Sequence, residues 1–157
     1  MLKIDFLRKL GFVAFASPLA MAESAGKADA DDSDDALVGL WEASIMAGAT
    51  TYFYIYSISR KTYIATGSID ENYMGFKFSP TMGAYARSSD GSYGYHERGY
   101  VFDMKGKNVG TFTSVGTLRL SADGDSFSGP GRYIQYDSQS KPVFKESFSV
   151  KARRVSV

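Results

Sequence analysis

The chain contains no cysteine, so neither a disulfide framework nor a cysteine-ligated metal site can contribute to its stability or chemistry. Histidine occurs once, at His96, which excludes a site built from several imidazole ligands. Tryptophan is also single, and the 18 basic and 17 acidic residues nearly balance. A chain without excess positive charge has no electrostatic basis for binding nucleic acid, so we expect no nucleic-acid partner.

Recognisable signatures of catalysis are missing as well. The 157 residues contain no phosphate-binding glycine loop, dinucleotide fingerprint, serine-hydrolase elbow or paired-histidine metalloprotease motif. We therefore predict neither a metal nor a cofactor, and the sequence assigns no catalytic residue with certainty.

The first 22 residues have the three parts of a secretory signal peptide. Basic residues open the segment, residues 10–22 are apolar and uncharged, and Ala20 and Ala22 form a small-x-small cleavage pattern. The apolar run is shorter than the roughly 20 residues that a membrane-spanning helix needs. We expect cleavage after Ala22, a periplasmic or secreted protein, and no stable insertion in a membrane.

Residues 23–36 are small, polar and acidic, and they are predicted to form a disordered linker because they cannot bury a core. From residue 37 to 157 the chain is rich in Tyr, Phe and Gly, which recur in runs separated by turn signals. Gly91, Gly106 and Gly124 lie in such turns, where they can supply a positive φ. Residues 70–81 are the least regular and are expected to form a lid or loop. The predicted strands are 37–46, 50–59, 61–69, 82–89, 92–104, 108–120, 125–137 and 141–155.

Short connections between long consecutive strands favour antiparallel neighbours. Closing the sheet would hide its edges, which matters for a chain so rich in aromatic residues. Residues 37–157 are therefore predicted to form one all-β domain, an antiparallel up-and-down barrel of about eight strands.

Two terminal motifs resemble those of the lipocalin-like (calycin) barrels. Gly39-Leu40-Trp41 opens the first predicted strand, and Arg153-Arg154 closes the last. The resemblance implies that Trp41 plugs one barrel end, that Gly39 lets the backbone approach, and that Arg154 or Arg153 packs across the plug. Residues 106–112 and 118–129 are also similar to small secreted bacterial proteins of lipocalin-like fold.

The last predicted strand suggests a binding site in the lumen. Phe144, Glu146 and Phe148 share one face, and the lysines of this strand lie on the other. A carboxylate on an apolar inward face needs a partner, and strand 125–137 offers Arg132 with Tyr136 nearby. We predict a lumenal Glu146–Arg132 pair. The alternative is that Arg132 points outward and Glu146 lies near a wet rim, because a one-residue slip in register reverses every face.

Other polar and aromatic residues give weaker indications. His96 could act as a general base with Glu97 or Glu146, although an isolated histidine is more often a surface or structural residue. Glu146 and His96 are thus the catalytic candidates. Small residues such as Gly67, Ser114 and Gly116 would leave part of the lumen unfilled. The predicted ligand-binding residues are Tyr100, Arg132, Tyr136, Phe144, Glu146 and Phe148.

These observations favour an exported lipocalin-like carrier that binds a small hydrophobic or aromatic molecule in its lumen. One alternative is a β-barrel cyclase or isomerase that acts on a hydrophobic substrate, an analogy made at the level of the fold. A less favoured alternative is an eight-stranded outer-membrane barrel, since lysines and arginines on the outer face of the last strand would be costly in lipid.

Overall fold

A computed structural model describes residues 35–156, and nine antiparallel strands account for most of them. All eight predicted strands are present. The ninth is a three-residue strand inside the segment 70–81, which was predicted to be a lid or loop. The strands are β1 (Gly39–Ala47), β2 (Thr50–Ser59), β3 (Thr62–Gly67), β4 (Phe76–Phe78), β5 (Thr81–Arg87), β6 (Tyr93–Asp103), β7 (Asn108–Leu120), β8 (Ser126–Asp137) and β9 (Pro142–Arg154).

Eight of these strands close into a barrel in chain order. Each of β1, β2, β3, β5, β6, β7, β8 and β9 pairs with the next, and β9 pairs back with β1. The short β4 pairs only with β6, near the end of that strand. This topology confirms the predicted all-β, up-and-down barrel of eight strands. The predicted signal peptide, and the predicted linker up to residue 34, lie outside the described residues.

Alternation along each strand separates an inner from an outer face. In β6 every second residue from Tyr93 to Val101 is buried, whereas His96, Arg98 and Tyr100 between them are exposed. In β9 the inner face carries the residues predicted for it, from Phe144 to Ala152. Residues 35–156 contain no helix with the length and apolar character that crossing a membrane would require.

One end of the barrel, called the Trp41 pole, is sealed by Leu37, Trp41, Phe127 and Arg154. Trp41 is fully buried, and its indole Nε1 donates a 2.9 Å hydrogen bond to the carbonyl of Leu37. The Phe127 ring lies 4.8 Å from the Trp41 ring, and the Arg154 guanidinium lies 4.2 Å from the Trp41 ring centroid. The seal therefore combines apolar burial with a cation–π contact.

Arg154, rather than Arg153, packs across the plug. Its Nη1 donates to the carbonyl of Val38 at 2.8 Å, which connects the last strand to the residues just before β1. Gly39 has a φ of 142°, and a Cβ there would lie 2.6 Å from that same Nη1, so glycine permits the close approach. Arg153 instead makes an exposed ion pair with Glu42 on the outer wall, at 2.7 Å.

Candidate functional site

The lumen changes character along the barrel axis. At the Trp41 pole the inward side chains are closed off from solvent: Trp41 is 0% exposed, Phe127 3% and Val150 3%. The void left among the side chains there is about 20 Å³, room for about one water molecule. Toward the other end Phe78, Val101 and Phe112 form a second buried cluster, whereas the inward side chains of β2, β8 and β9 are partly exposed. This open half of the lumen is lined by Tyr52, Tyr54, Tyr133, Phe144 and Glu146.

Aromatic rings cover several glycines of the barrel wall on the inner side, so these glycines do not leave empty space. A Cβ on Gly67 would meet the Tyr54 ring at 2.5 Å, and a Cβ on Gly116 would meet the Tyr95 hydroxyl at 2.6 Å. The expectation that these two glycines leave lumen volume unfilled is therefore wrong, because a tyrosine ring lies across each of them.

Gly83 shows the same arrangement in its tightest form. A Cβ there would clash with Cζ of Tyr63, whose ring crosses the glycine to reach β6. We expect Gly83→Ala to lower the free energy of unfolding by about 1–3 kcal/mol, because the ring must move. Gly94→Ala on the outer face of β6 is the matched control, since a Cβ there would meet nothing within 4 Å. Urea denaturation of both variants tests this, and equal losses would contradict it.

Beyond Gly83, Tyr63 meets a buried carboxyl that the sequence reasoning missed as an inward group. Glu97 is 7% exposed, and the Tyr63 hydroxyl donates to its Oε2 at 2.8 Å. Burial raises the pKa of Glu97, and hydrogen bonds with Tyr63 and Ser114 partly oppose that rise. The alternation in β6 carried the necessary signal, because Glu97 shares a face with Tyr93 and Tyr95 just as Glu146 does with its phenylalanines.

Four inward polar side chains form a row across neighbouring strands. Glu97 of β6 lies opposite Ser114 of β7, Ser114 opposite Tyr133 of β8, and Tyr133 opposite Glu146 of β9. Directly opposed residues have Cβ atoms about 4.5–5.5 Å apart. The row thus leads from a carboxyl closed off from solvent to one in the open half of the lumen.

Glu146 is the least satisfied member of this row. It is half-buried between Phe144 and Phe148, as predicted, and burial raises its pKa. Among the described residues, no hydrogen bond or ion pair reaches its carboxylate. Burial raises the pKa of Tyr52, to about 12, and that of Tyr133. The negative charge of Glu146 is a smaller cause of the rise in both pKa values.

The predicted Glu146–Arg132 pair is not formed. The register of β8 with β9 places Tyr133 opposite Glu146 and Arg132 opposite Ser147. Arg132 is exposed, and Tyr136 lies on the same outer face. The reason is the one-residue alternation of a strand: once Phe127 and Tyr133 face inward, Arg132 must face solvent.

Two further predicted residues also lie on the outer wall. Tyr100 is 54% exposed and lies opposite Thr111, so it does not line the lumen. His96 is exposed between Ala84 and Val115, and the barrel wall separates its side chain from those of Glu97 and Glu146. Of the predicted ligand-binding residues, the structure brings Phe144, Glu146 and Phe148 together inside the barrel.

A larger space, of about 460 Å³, lies outside the lumen at the Trp41 pole. It is an open groove between Arg87, Tyr93 and the turn that joins β7 to β8. Asp123 in that turn already accepts hydrogen bonds from the Ser121 hydroxyl and the Asp125 amide. Since these polar groups are satisfied within the turn, the partly exposed lumen is the better candidate site.

Comparison with known proteins does not assign the chain to a family. The closed barrel agrees with the fold that the lipocalin-like resemblance implies. No protein-family model, no curated protein and no solved structure matches this chain.

Proposed function

We propose that the barrel binds a small hydrophobic or aromatic molecule in the open half of its lumen. The observation that carries the proposal is a group of inward aromatic side chains on β2, β8 and β9 that stay partly exposed. Inward aromatic side chains are sealed at the Trp41 pole, yet Tyr52, Tyr133 and Phe144 face inward and remain partly exposed. Partly exposed aromatic surface on a concave wall is the usual character of a small-molecule site.

The aromatic side chains of this half contact one another in pairs. The Tyr52 and Tyr73 hydroxyls share a 2.6 Å hydrogen bond, and the Phe144 ring lies 6.1 Å from that of Tyr133. The two pairs lie near each other, because Tyr73 and Tyr133 both pack against the buried cluster of Phe78, Val101 and Phe112. Tyr73 belongs to the segment between β3 and β4, so this segment contributes to the rim of the proposed site.

The sequence of residues 1–22 supports export, so the proposal extends to a periplasmic or secreted carrier. Such a protein meets its ligand outside the cytoplasm. Native mass spectrometry of the exported protein, prepared without detergent, is expected to show a co-purified small molecule.

A fluorescence titration with N-phenyl-1-naphthylamine, an uncharged aromatic probe, tests the location of the site. Phe144→Ala is expected to weaken binding of the probe about tenfold, because one ring of the site is lost, equivalent to about 1.4 kcal/mol. Phe53→Ala is the matched control, since Phe53 is 64% exposed on the outer wall. If Phe53→Ala weakened binding and Phe144→Ala did not, the probe would bind outside the barrel and the proposal would fail.

A further inference from the structure

We infer that the ligand of the open half is an organic ammonium ion, an amine attached to a hydrophobic or aromatic skeleton. This inference rests on the proposed function and adds a charge to the ligand class. It follows from the sign of the charges inside the barrel, from an unpaired carboxylate and from the type of rings that surround it.

The charged side chains that point into the lumen from the described strands are negative between the two ends of the barrel. Between the two ends of the barrel, the inward Asp, Glu, Lys and Arg positions of these strands are occupied by Glu97 and Glu146, both carboxyls. The inward arginines, Arg87 and Arg154, lie at the Trp41 pole, on the far side of the seal. No basic side chain in these strands is therefore placed to balance Glu146.

The two carboxyls differ in what they already bind. Glu97 is closed off from solvent and hydrogen-bonded to Tyr63 and Ser114, so its bonding capacity is used inside the wall. Glu146 is half-buried and, among the described residues, has no such partner. A neutral ligand that covered Glu146 would leave the charge of the carboxylate uncompensated, and an anionic ligand would be repelled. An ammonium ion neutralises the carboxylate and donates N–H hydrogen bonds to its oxygens.

The rings of the open half favour the same charge. Tyr52, Tyr133 and Phe144 can present the negative faces of their π systems to a bound cation. Tyr54 adds to this environment: its pKa is raised first by burial and then by Asp70 and Glu97, both carboxyls. Aromatic faces beside an unpaired carboxylate are a recurring way to hold an alkylated ammonium group.

Three probes that share the indole skeleton separate charge from shape: tryptamine is a cation, tryptophol is neutral and indole-3-propionate is an anion. Calorimetric titrations at pH 7 and low salt are expected to show tryptamine binding at least tenfold tighter than tryptophol, with indole-3-propionate weakest. Glu146→Gln is expected to reduce tryptamine binding to the tryptophol level. It should leave tryptophol binding within about twofold, which also shows that the variant is folded.

Glu42→Gln supplies the control, because it removes the same charge from an exposed ion pair on the outer wall. If wild type bound tryptophol as tightly as tryptamine, the inference would be wrong and the proposed function would stand. Equal loss of tryptamine binding in Glu146→Gln and Glu42→Gln would overturn the inference too, since only net charge would then matter. If neither the indole probes nor N-phenyl-1-naphthylamine bound, the proposed function would fall with it.

Discussion

Replacing Trp41 with alanine is expected to lower the free energy of unfolding by about 3–5 kcal/mol, the range found for large aromatic side chains in cores. Trp41 is 0% exposed, packs on Phe127 and donates its indole N–H to the carbonyl of Leu37. Its loss removes the largest buried side chain of the Trp41 pole and leaves Arg154 without the ring that it covers. Urea denaturation at a fixed pH measures the change.

Two other variants make this result specific. Arg154→Ala is expected to destabilise in the same direction, because the guanidinium donates to Val38 as well as covering Trp41. Phe53→Ala removes an aromatic ring that is 64% exposed and is expected to cost less than about 1 kcal/mol. A Trp41→Ala loss no larger than that of Phe53→Ala would show that the pole is not sealed by this ring.

The second large effect is expected at Glu97, whose contribution to the free energy of unfolding depends on pH. Glu97→Ala is expected to lower the free energy of unfolding by about 2–4 kcal/mol at pH 5, since it opens a cavity and leaves the buried Tyr63 hydroxyl without its acceptor. Glu97→Gln keeps the shape and an acceptor oxygen for Tyr63. It is expected to stay close to wild type at pH 5.

The pH dependence follows from linkage. Burial raises the pKa of Glu97 above its ordinary value of 4.5, so above that pH the unfolded chain releases a proton that the folded chain retains. The contribution of Glu97 to stability is therefore fully present below about pH 4.5 and is lost as the pH rises through the raised pKa of the folded state. Glu97→Gln has no such group and should gain on wild type between pH 5 and pH 8.

The measurement is the difference between wild type and Glu97→Gln in urea denaturation at several pH values, because other titrating groups cancel in the difference. Glu42→Gln, with its exposed carboxylate on the outer wall, should show a nearly flat difference over the same range. A difference for Glu97→Gln that stayed constant from pH 5 to pH 8 would mean that this carboxyl titrates alike in the folded and unfolded chain.

Local chemistry in the sequence was enough to predict the strands and their closure. Gly91, Gly106 and Gly124 adopt the positive φ values expected of them in their turns, at 80°, 84° and 75°. A two-residue period identified the inward face of β9, including Glu146, because a strand alternates its side chains whatever it pairs with. The prediction that Trp41 plugs the barrel came from a resemblance, and the structure shows that the arginine packed on Trp41 is Arg154.

Tertiary structure alone decided which inward groups meet. The partner of Glu146 is set by the pairing of β8 with β9, and a single residue of register exchanges Arg132 for Tyr133. Likewise, glycines that were expected to leave the lumen unfilled are covered by rings from neighbouring strands, as Tyr54 covers Gly67. Alternation is a property of one strand and can be derived from its residues, whereas register and ring packing depend on which strands lie side by side in the closed barrel.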